Sequence, residues 1–200
     1  ACANLYLPSK TLNLVIQIFV TGGTFDKEYN FVTGKLFFQD SNLPEMLDRG
    51  RCTLDRNVRT LMMVDSLEIG DLDRENIANN RRGVETNHIL ITHGTDTIEE
   101  TSYFLNLIVN SDKPVVMTAA MRPATALSAD GPLNIFNAVA VAADAEAKGR
   151  GVLIVINDDI HGARGMTKTS TTDVQTFVGS VDTLFGGFRE RAEETYAMLQ

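Results

Sequence analysis

Five apolar runs recur along the chain, at Leu14–Val20, Val58–Val64, Ile89–Thr92, Pro114–Ala119 and Gly151–Ile156. Each is rich in Val and Ile and nearly unbroken in apolarity, the pattern of strands covered on both faces in a parallel sheet. Helical patterns separate them. In Thr97–Asn110 the residues Ile98, Thr101, Ser102, Leu105, Ile108 and Val109 repeat at helical spacing, with Glu99 and Glu100 in a first turn that favours acids. Pro132–Ala147 is alanine-rich and suited to close packing on a sheet, while Asp71–Arg81 reads as a polar surface helix. Ser41 ahead of Leu43-Pro44-Glu45-Met46-Leu47 predicts a short capped helix. Strand and helix therefore alternate. That order predicts an α/β fold: an open, mainly parallel sheet with helices on both faces, a three-layer arrangement of flavodoxin-like or Rossmann-like type.

No linker rich in Pro, Gly or Ser and no repeat divides the chain. The expected organisation is an amino-terminal extension at 1–12, one α/β domain at 13–180, and a helical tail at 181–200 that includes amphipathic Phe188–Leu199. Hydrophobic residues make up 44% and charged residues 22% of the 200, a globular composition. No run of about 18 apolar residues suggests a membrane-spanning helix. The net charge of −8 argues against nucleic acid or an anionic membrane as the main partner. Arg49–Arg51 and Arg81–Arg82 then read as solvated faces. Cys2 and Cys52 could pair once but make no disulfide framework. His88, His93 and His161 lack metal-ligand spacing and read as structural, so no metal is expected. The chain starts at Ala1, which reads as processed or trimmed, and carries no signal peptide to reveal a compartment.

Ligands of open α/β sheets bind at the carboxyl ends of the strands, and those ends are rich in hydroxyls. The first run leads into Thr21-Gly22-Gly23-Thr24, where two glycines permit a sharp turn and a close backbone approach to a ligand. Neither the dinucleotide nor the phosphate-loop glycine pattern is present there. The third run ends in Thr92-His93-Gly94-Thr95-Asp96-Thr97, with more hydrogen-bonding side chains than one helix cap needs. Asp130, before Gly131-Pro132, reads as a helix cap. Polar Asn157-Asp158-Asp159 follows the fifth run, and Lys168 stands between Thr167 and Thr169.

Taken together, these loops resemble the bacterial-type L-asparaginase family of asparaginase and glutaminase amidohydrolases. Its signature loops are matched at Thr21–Thr24 and Thr92–Thr97. The likeness continues through Glu99-Glu100-Thr101, Lys113–Met117, Ala120–Pro123, Ser128–Pro132 and Thr167–Thr169. From about Leu14 to about Phe177 it covers most of that family's amino-terminal domain. The resemblance implies hydrolysis of L-asparagine, and more weakly L-glutamine, without metal or cofactor. It implies that Thr24 attacks the amide carbon to form an acyl-enzyme. A second hydroxyl, Thr95, is then linked to Lys168 and Asp96, and a desolvated lysine can serve as base. Asp96 would also hold the substrate's α-ammonium, Ser66 its carboxylate, and backbone near Gly23, Gly94 and Ala120 would complete the pocket. Tyr29, the single tyrosine in the segment that follows the first loop, matches a lid tyrosine in an offset register. A homo-oligomer, dimer or tetramer, is also implied.

Some positions depart from the pattern. Leu67-Glu68 follows Ser66 where long members have Gln-Asp; Leu67 cannot donate from its side chain, and Asp65 replaces a small residue. Asp65 and Leu67 are accordingly expected to alter substrate binding. Ala119 stands where glycine is usual. The segment from Thr24 through Leu47 is similar to short-chain relatives, and residues 113–177 to long secreted ones. The second domain of long members is expected to be absent. Short relatives being cytoplasmic and long ones often exported, the compartment is open, with the cytoplasm favoured over the periplasm. The alternative function is a non-catalytic amino-acid-binding or regulatory domain that keeps the pocket; a third reading is an inert structural remnant.

Overall fold

The computed structural model describes residues 14–50, 52 and 54–179. The extension at 1–12, the tail at 181–200 and Cys2 lie outside the described residues. In chain order the elements are β1 (Val15–Gly22), β2 (Lys27–Asn30), β3 (Lys35–Phe38), α1 (Leu43–Arg49), β4 (Asp55–Val64) and α2 (Asp71–Arg82). There follow β5 (His88–Thr92), α3 (Ile98–Ile108), β6 (Val115–Thr118), α4 (Gly131–Ala143), β7 (Val152–Ile156), β8 (Asp159–Gly162), β9 (Thr167–Lys168) and β10 (Phe177–Val178).

The main sheet has the order β4-β1-β5-β6-β7-β8. Its first five strands are parallel and β8 pairs antiparallel to β7. Alternation along the strands sorts side chains onto two faces. Ile16, Ile18, Val20, Leu90, Val116, Leu153 and Val155 face α1 and α4, meeting Leu43, Met46, Leu47, Ile135, Ala138 and Ala142. Phe19, Ile89, Ile91, Val115, Met117, Val152 and Ile154 face the other way, onto Ile77 and Ala78 of α2 and Ile98 and Leu105 of α3. This is the expected fold class. Because the strand order reverses between β1 and β5, the crevice at their carboxyl ends is the switch point where such sheets bind ligands.

Several local expectations change. β4 is an edge strand, exposed over much of its length and beginning at Asp55, not a strand buried on both faces. The helix expected through Ala147 stops at Ala143; Asp144 is extended, and its side chain caps a separate turn at Ala145–Ala147. Asn157 and Asp158 both have positive φ, 52° and 64°, and form the two-residue hairpin turn between β7 and β8. Arg81 is not a solvated residue: it is buried, and its Nε and one terminal nitrogen lack partners. Cys52 is half-buried and free. Among the described residues no helix is long and apolar enough to cross a membrane.

Candidate active site

The carboxyl ends of the strands are tied to one another before the loops leave them. Gly23 N–H donates to Val64 O at 2.9 Å, Thr21 Oγ1 to Thr92 O at 2.8 Å, His93 N–H to Thr118 O at 2.9 Å, and Thr118 Oγ1 to Val155 O at 2.7 Å. The threonines here satisfy carbonyls that the ladder no longer reaches. They make a rigid floor spanning β4, β1, β5, β6 and β7.

On this floor the two glycine-bearing loops interlock. Gly23 has φ +80°, and a Cβ there would lie 2.3 Å from Gly94 Cα. A Cβ on Gly94 would lie 2.5 Å from Ser66 Oγ. Only glycines allow the turns carrying Thr24, Thr95 and Ser66 to touch. Thr24, the residue after Gly23, opens a single helical turn to Asp26 and is half-buried. Among the described residues its hydroxyl makes no hydrogen bond.

Thr95 is buried and Lys168 nearly so, with its side chain 9% exposed. Lys168 Nζ lies 3.0 Å from Thr95 Oγ1 and 2.5 Å from Asp96 Oδ1. The lysine is delivered by β9, which pairs with β10 through Lys168 and Phe177. Its backbone N–H donates to Glu99 Oε2 at 2.9 Å, pinning β9 to the first turn of α3. Thr95, Asp96 and Lys168 thus come together as expected. None of the loop's hydroxyls caps α3: Thr97 Oγ1 instead donates to Ser66 O at 2.7 Å. Asp96 N–H reaches Ser66 Oγ at 3.3 Å, so buried Ser66 joins the same cluster.

Leu67 is 73% exposed and contributes its backbone N–H, which donates to Asp65 Oδ1 at 3.1 Å. The other oxygen of Asp65 meets Lys27 Nζ. The hydrogen bond from Lys27 holds the Asp65 carboxyl below its ordinary range, against partial burial. Ala120 is buried on the face that packs α4. The loop after it is held by Asp130, which does not cap α4: its oxygens accept the Met121 and Arg122 N–H groups, both at 2.9 Å, and Asn134 Nδ2. Asn134 also donates to Ala119 O at 2.9 Å.

Tyr29 lies on the β2–β3 hairpin. Its ring meets Phe31 edge to face, with centroids 5.3 Å apart, its hydroxyl approaches Gly34, and its N–H reaches Thr125 Oγ1. None of these contacts joins it to Thr24 or Thr95. At the hairpin's base, buried Asp26 accepts from Ser41 Oγ at 2.7 Å and Asn42 N–H at 2.9 Å. Ser41 is therefore committed to Asp26 as well as to Leu43 N–H, and Asn42 stands at the helix cap position. Burial raises the Asp26 carboxyl to about 6, against those two donors.

His93 is buried with Nδ1 2.9 Å from Gly94 O, and burial lowers it to about 4. His88 Nδ1 meets Ala142 O at 2.7 Å. Among the described residues no group of three or more His, Cys, Asp or Glu side chains converges. The sequence assigns no site role to Lys27 or Asp26, and it marks Glu99 only as a first-turn acid within the family likeness. A partly buried carboxylate at Asp65 is the one signal that calls for a cation such as Lys27.

Known proteins similar to this chain belong to one family. The family model described as "Asparaginase, N-terminal" matches residues 15–194. L-asparaginase 2 of Escherichia coli (strain K12) is 40% identical over 179 residues, covering 88% of this chain and 50% of that protein. The probable periplasmic L-asparaginase of Haemophilus influenzae is 64% identical over 92 residues, 46% of this chain and 26% of that one. The crystal structure of a probable cytoplasmic L-asparaginase from Campylobacter jejuni superposes with a TM-score of 0.74 at 38% identity, over 83% of this chain and 53% of that one. The chain spans half or less of the length of the curated relatives named here.

Proposed function

The chain belongs to the asparaginase family, matching its N-terminal domain, and from that premise we propose that it hydrolyses L-asparagine to L-aspartate and ammonia. The observation that carries this reading is Lys168 Nζ within hydrogen-bond reach of both Thr95 Oγ1 and Asp96 Oδ1. Amide hydrolysis needs a nucleophile, a path for its proton and a group to protonate the departing nitrogen. Thr24 Oγ attacks the side-chain amide carbon. It suits that role because its hydroxyl is uncommitted and the Gly22–Gly23 turn presses its loop onto Gly94. The proton passes toward Thr95 and Lys168 and returns to the leaving ammonia. Water then cleaves the aspartyl ester by the same route in reverse.

Substrate is oriented by opposite charges. Asp96 keeps Oδ2 outside its contact with Lys168 and accepts the α-ammonium. Ser66 Oγ, fixed between Gly94 and Asp96 N–H, donates to the α-carboxylate. Tyr29 is proposed to act from the hairpin as a lid residue, since it lies on the segment that directly follows the Thr24 turn. L-Glutamine is a second, weaker substrate. The family's names for relatives of both kinds support it: glutaminase-asparaginase of Acinetobacter glutaminasificans is 53% identical over 104 residues. Assembly as a homo-oligomer is proposed as well, supported by Phe31 and Val32, which are 85% and 95% exposed at the hairpin tip. The catalytic unit is proposed as residues 13–180.

Hydroxylamine tests the covalent step. An aspartyl ester on Thr24 partitions between water and hydroxylamine, so β-aspartyl hydroxamate forms from L-asparagine at the expense of L-aspartate. Turnover with no hydroxamate at any hydroxylamine concentration counts against the acyl-enzyme.

A further inference from the structure

Asp65 stands next to Ser66 and uses both of its oxygens. Oδ1 caps the turn at Ser66–Glu68 by accepting Leu67 N–H, and Oδ2 meets Lys27 Nζ. A cap of this kind needs only an acceptor, which Ser or Asn also supplies. A carboxylate brings a full negative charge with it, beside the hydroxyl read above as the receptor for a substrate carboxylate. Two like charges at such a site disfavour binding unless a cation lies between them.

Lys27 is built to be that cation. It directly follows the Thr24–Asp26 turn, its side chain is 15% exposed, and its Nζ lies 5.5 Å from the centroid of the Phe38 ring, so its position is fixed from two sides. Partly exposed ion pairs add little to stability, which leaves the charge balance of the Ser66 turn as the pair's main consequence. We propose that Lys27 is a specificity-determining residue, neutralising Asp65 so that the Ser66 turn accepts an α-carboxylate. The inference rests on the reading of Ser66 as the carboxylate subsite. It ties substrate choice to a pair that joins the β2–β3 hairpin to the β4–α2 loop.

Kinetics with L-asparagine, and competitive inhibition by β-alaninamide, which is asparagine without its α-carboxylate, test it. Lys27→Met is expected to raise KM for L-asparagine roughly tenfold, with kcat changed by less than about twofold. Lys27→Arg keeps KM near the unsubstituted value. Adding Asp65→Asn to Lys27→Met recovers most of the lost affinity, and inhibition by β-alaninamide is the same in all four proteins. Lys27→Gln repeats the test should thermal melts show that Lys27→Met does not fold. An unchanged KM in Lys27→Met, no recovery in the double variant, or a parallel loss of β-alaninamide inhibition overturns the inference while leaving the hydrolase reading intact. An unsubstituted protein that neither turns over L-asparagine nor binds L-aspartate refutes that reading, and this inference with it.

Discussion

Lys168 Nζ lies 3.0 Å from Thr95 Oγ1 although 73 positions separate the two residues in the chain. The placement of this lysine by β9 and by the Glu99 contact supports the proposal that it works with Thr95 as one unit. Thr95→Ala and Lys168→Met are each expected to lower kcat by about 10²–10⁴-fold. The double variant should lose little more than either single one, because parts of one relay are not additive. Steady-state kinetics on the three proteins check this, and multiplicative losses would argue that the two residues work independently.

The interlocked glycines make a stability prediction with an internal control. Gly23→Ala places a Cβ against the backbone of Gly94 at a positive φ, and Gly94→Ala drives one into Ser66. Each is expected to cost about 2 kcal/mol or more. Gly162→Ala meets nothing within 4 Å and should stay within about 0.5 kcal/mol. Urea midpoints measure all three; equal effects at the three sites would contradict the close loop contact.

Asp26 and His93 predict opposing pH dependences. The Asp26 carboxyl is raised from 3.8 to about 6, so its folded form binds the proton more tightly and stability is lost as pH rises between those values. His93 is lowered from 6.5 to about 4, so its folded form refuses the proton and stability is lost as pH falls through that window. Each contribution is on the order of a few kcal/mol, and the two act in opposite directions. Asp26→Asn should therefore leave a stability that climbs with pH between about 4 and 6.5, and His93→Gln one that falls between 3.8 and about 6. Denaturation series across that range decide, and variants that run parallel to the unsubstituted protein would contradict both assignments.

Asp130 offers a third structural test. Its two oxygens hold the Met121 and Arg122 N–H groups and Asn134. Asp130→Ala should cost about 1–3 kcal/mol and raise KM through the loosened loop after Ala120. Asp130→Asn keeps acceptors for part of that set and should lose less. A loss in Asp130→Asn equal to that in Asp130→Ala would indicate that charge, not the paired amides, is what matters.

The parallel strands were legible because burial on both faces leaves a continuous apolar run, as at Ile89–Thr92 and Gly151–Ile156. β4 misled for the same reason. Leu61, Met62 and Met63 read as core, yet the strand sits at an edge, and edge position is decided by strand order, which a single strand's residues do not encode. The β2–β3 hairpin escaped because Tyr29, Phe31, Leu36 and Phe37 do not alternate with a buried partner sheet; all four are exposed. At the site, Thr95, Asp96 and Lys168 were legible through loop composition and resemblance. Asp130 reads as a cap in the sequence because its neighbours Gly131 and Pro132 suit a helix start, while its amide partners lie eight and nine residues upstream. Glu99 passed as an ordinary first-turn acid, since its partner is 69 positions away. Long-range pairing of this kind leaves no local pattern.

The most direct measurement is ammonia release from L-asparagine by the purified 200-residue chain, beside Thr24→Ala and Thr95→Ala prepared in the same way. The expected result is saturable release by the unsubstituted chain that both substitutions abolish while leaving thermal melts close to it. Release that survives in Thr24→Ala, or no release by the unsubstituted chain at millimolar L-asparagine, would contradict the assignment of Thr24 as nucleophile and of this domain as an amidohydrolase.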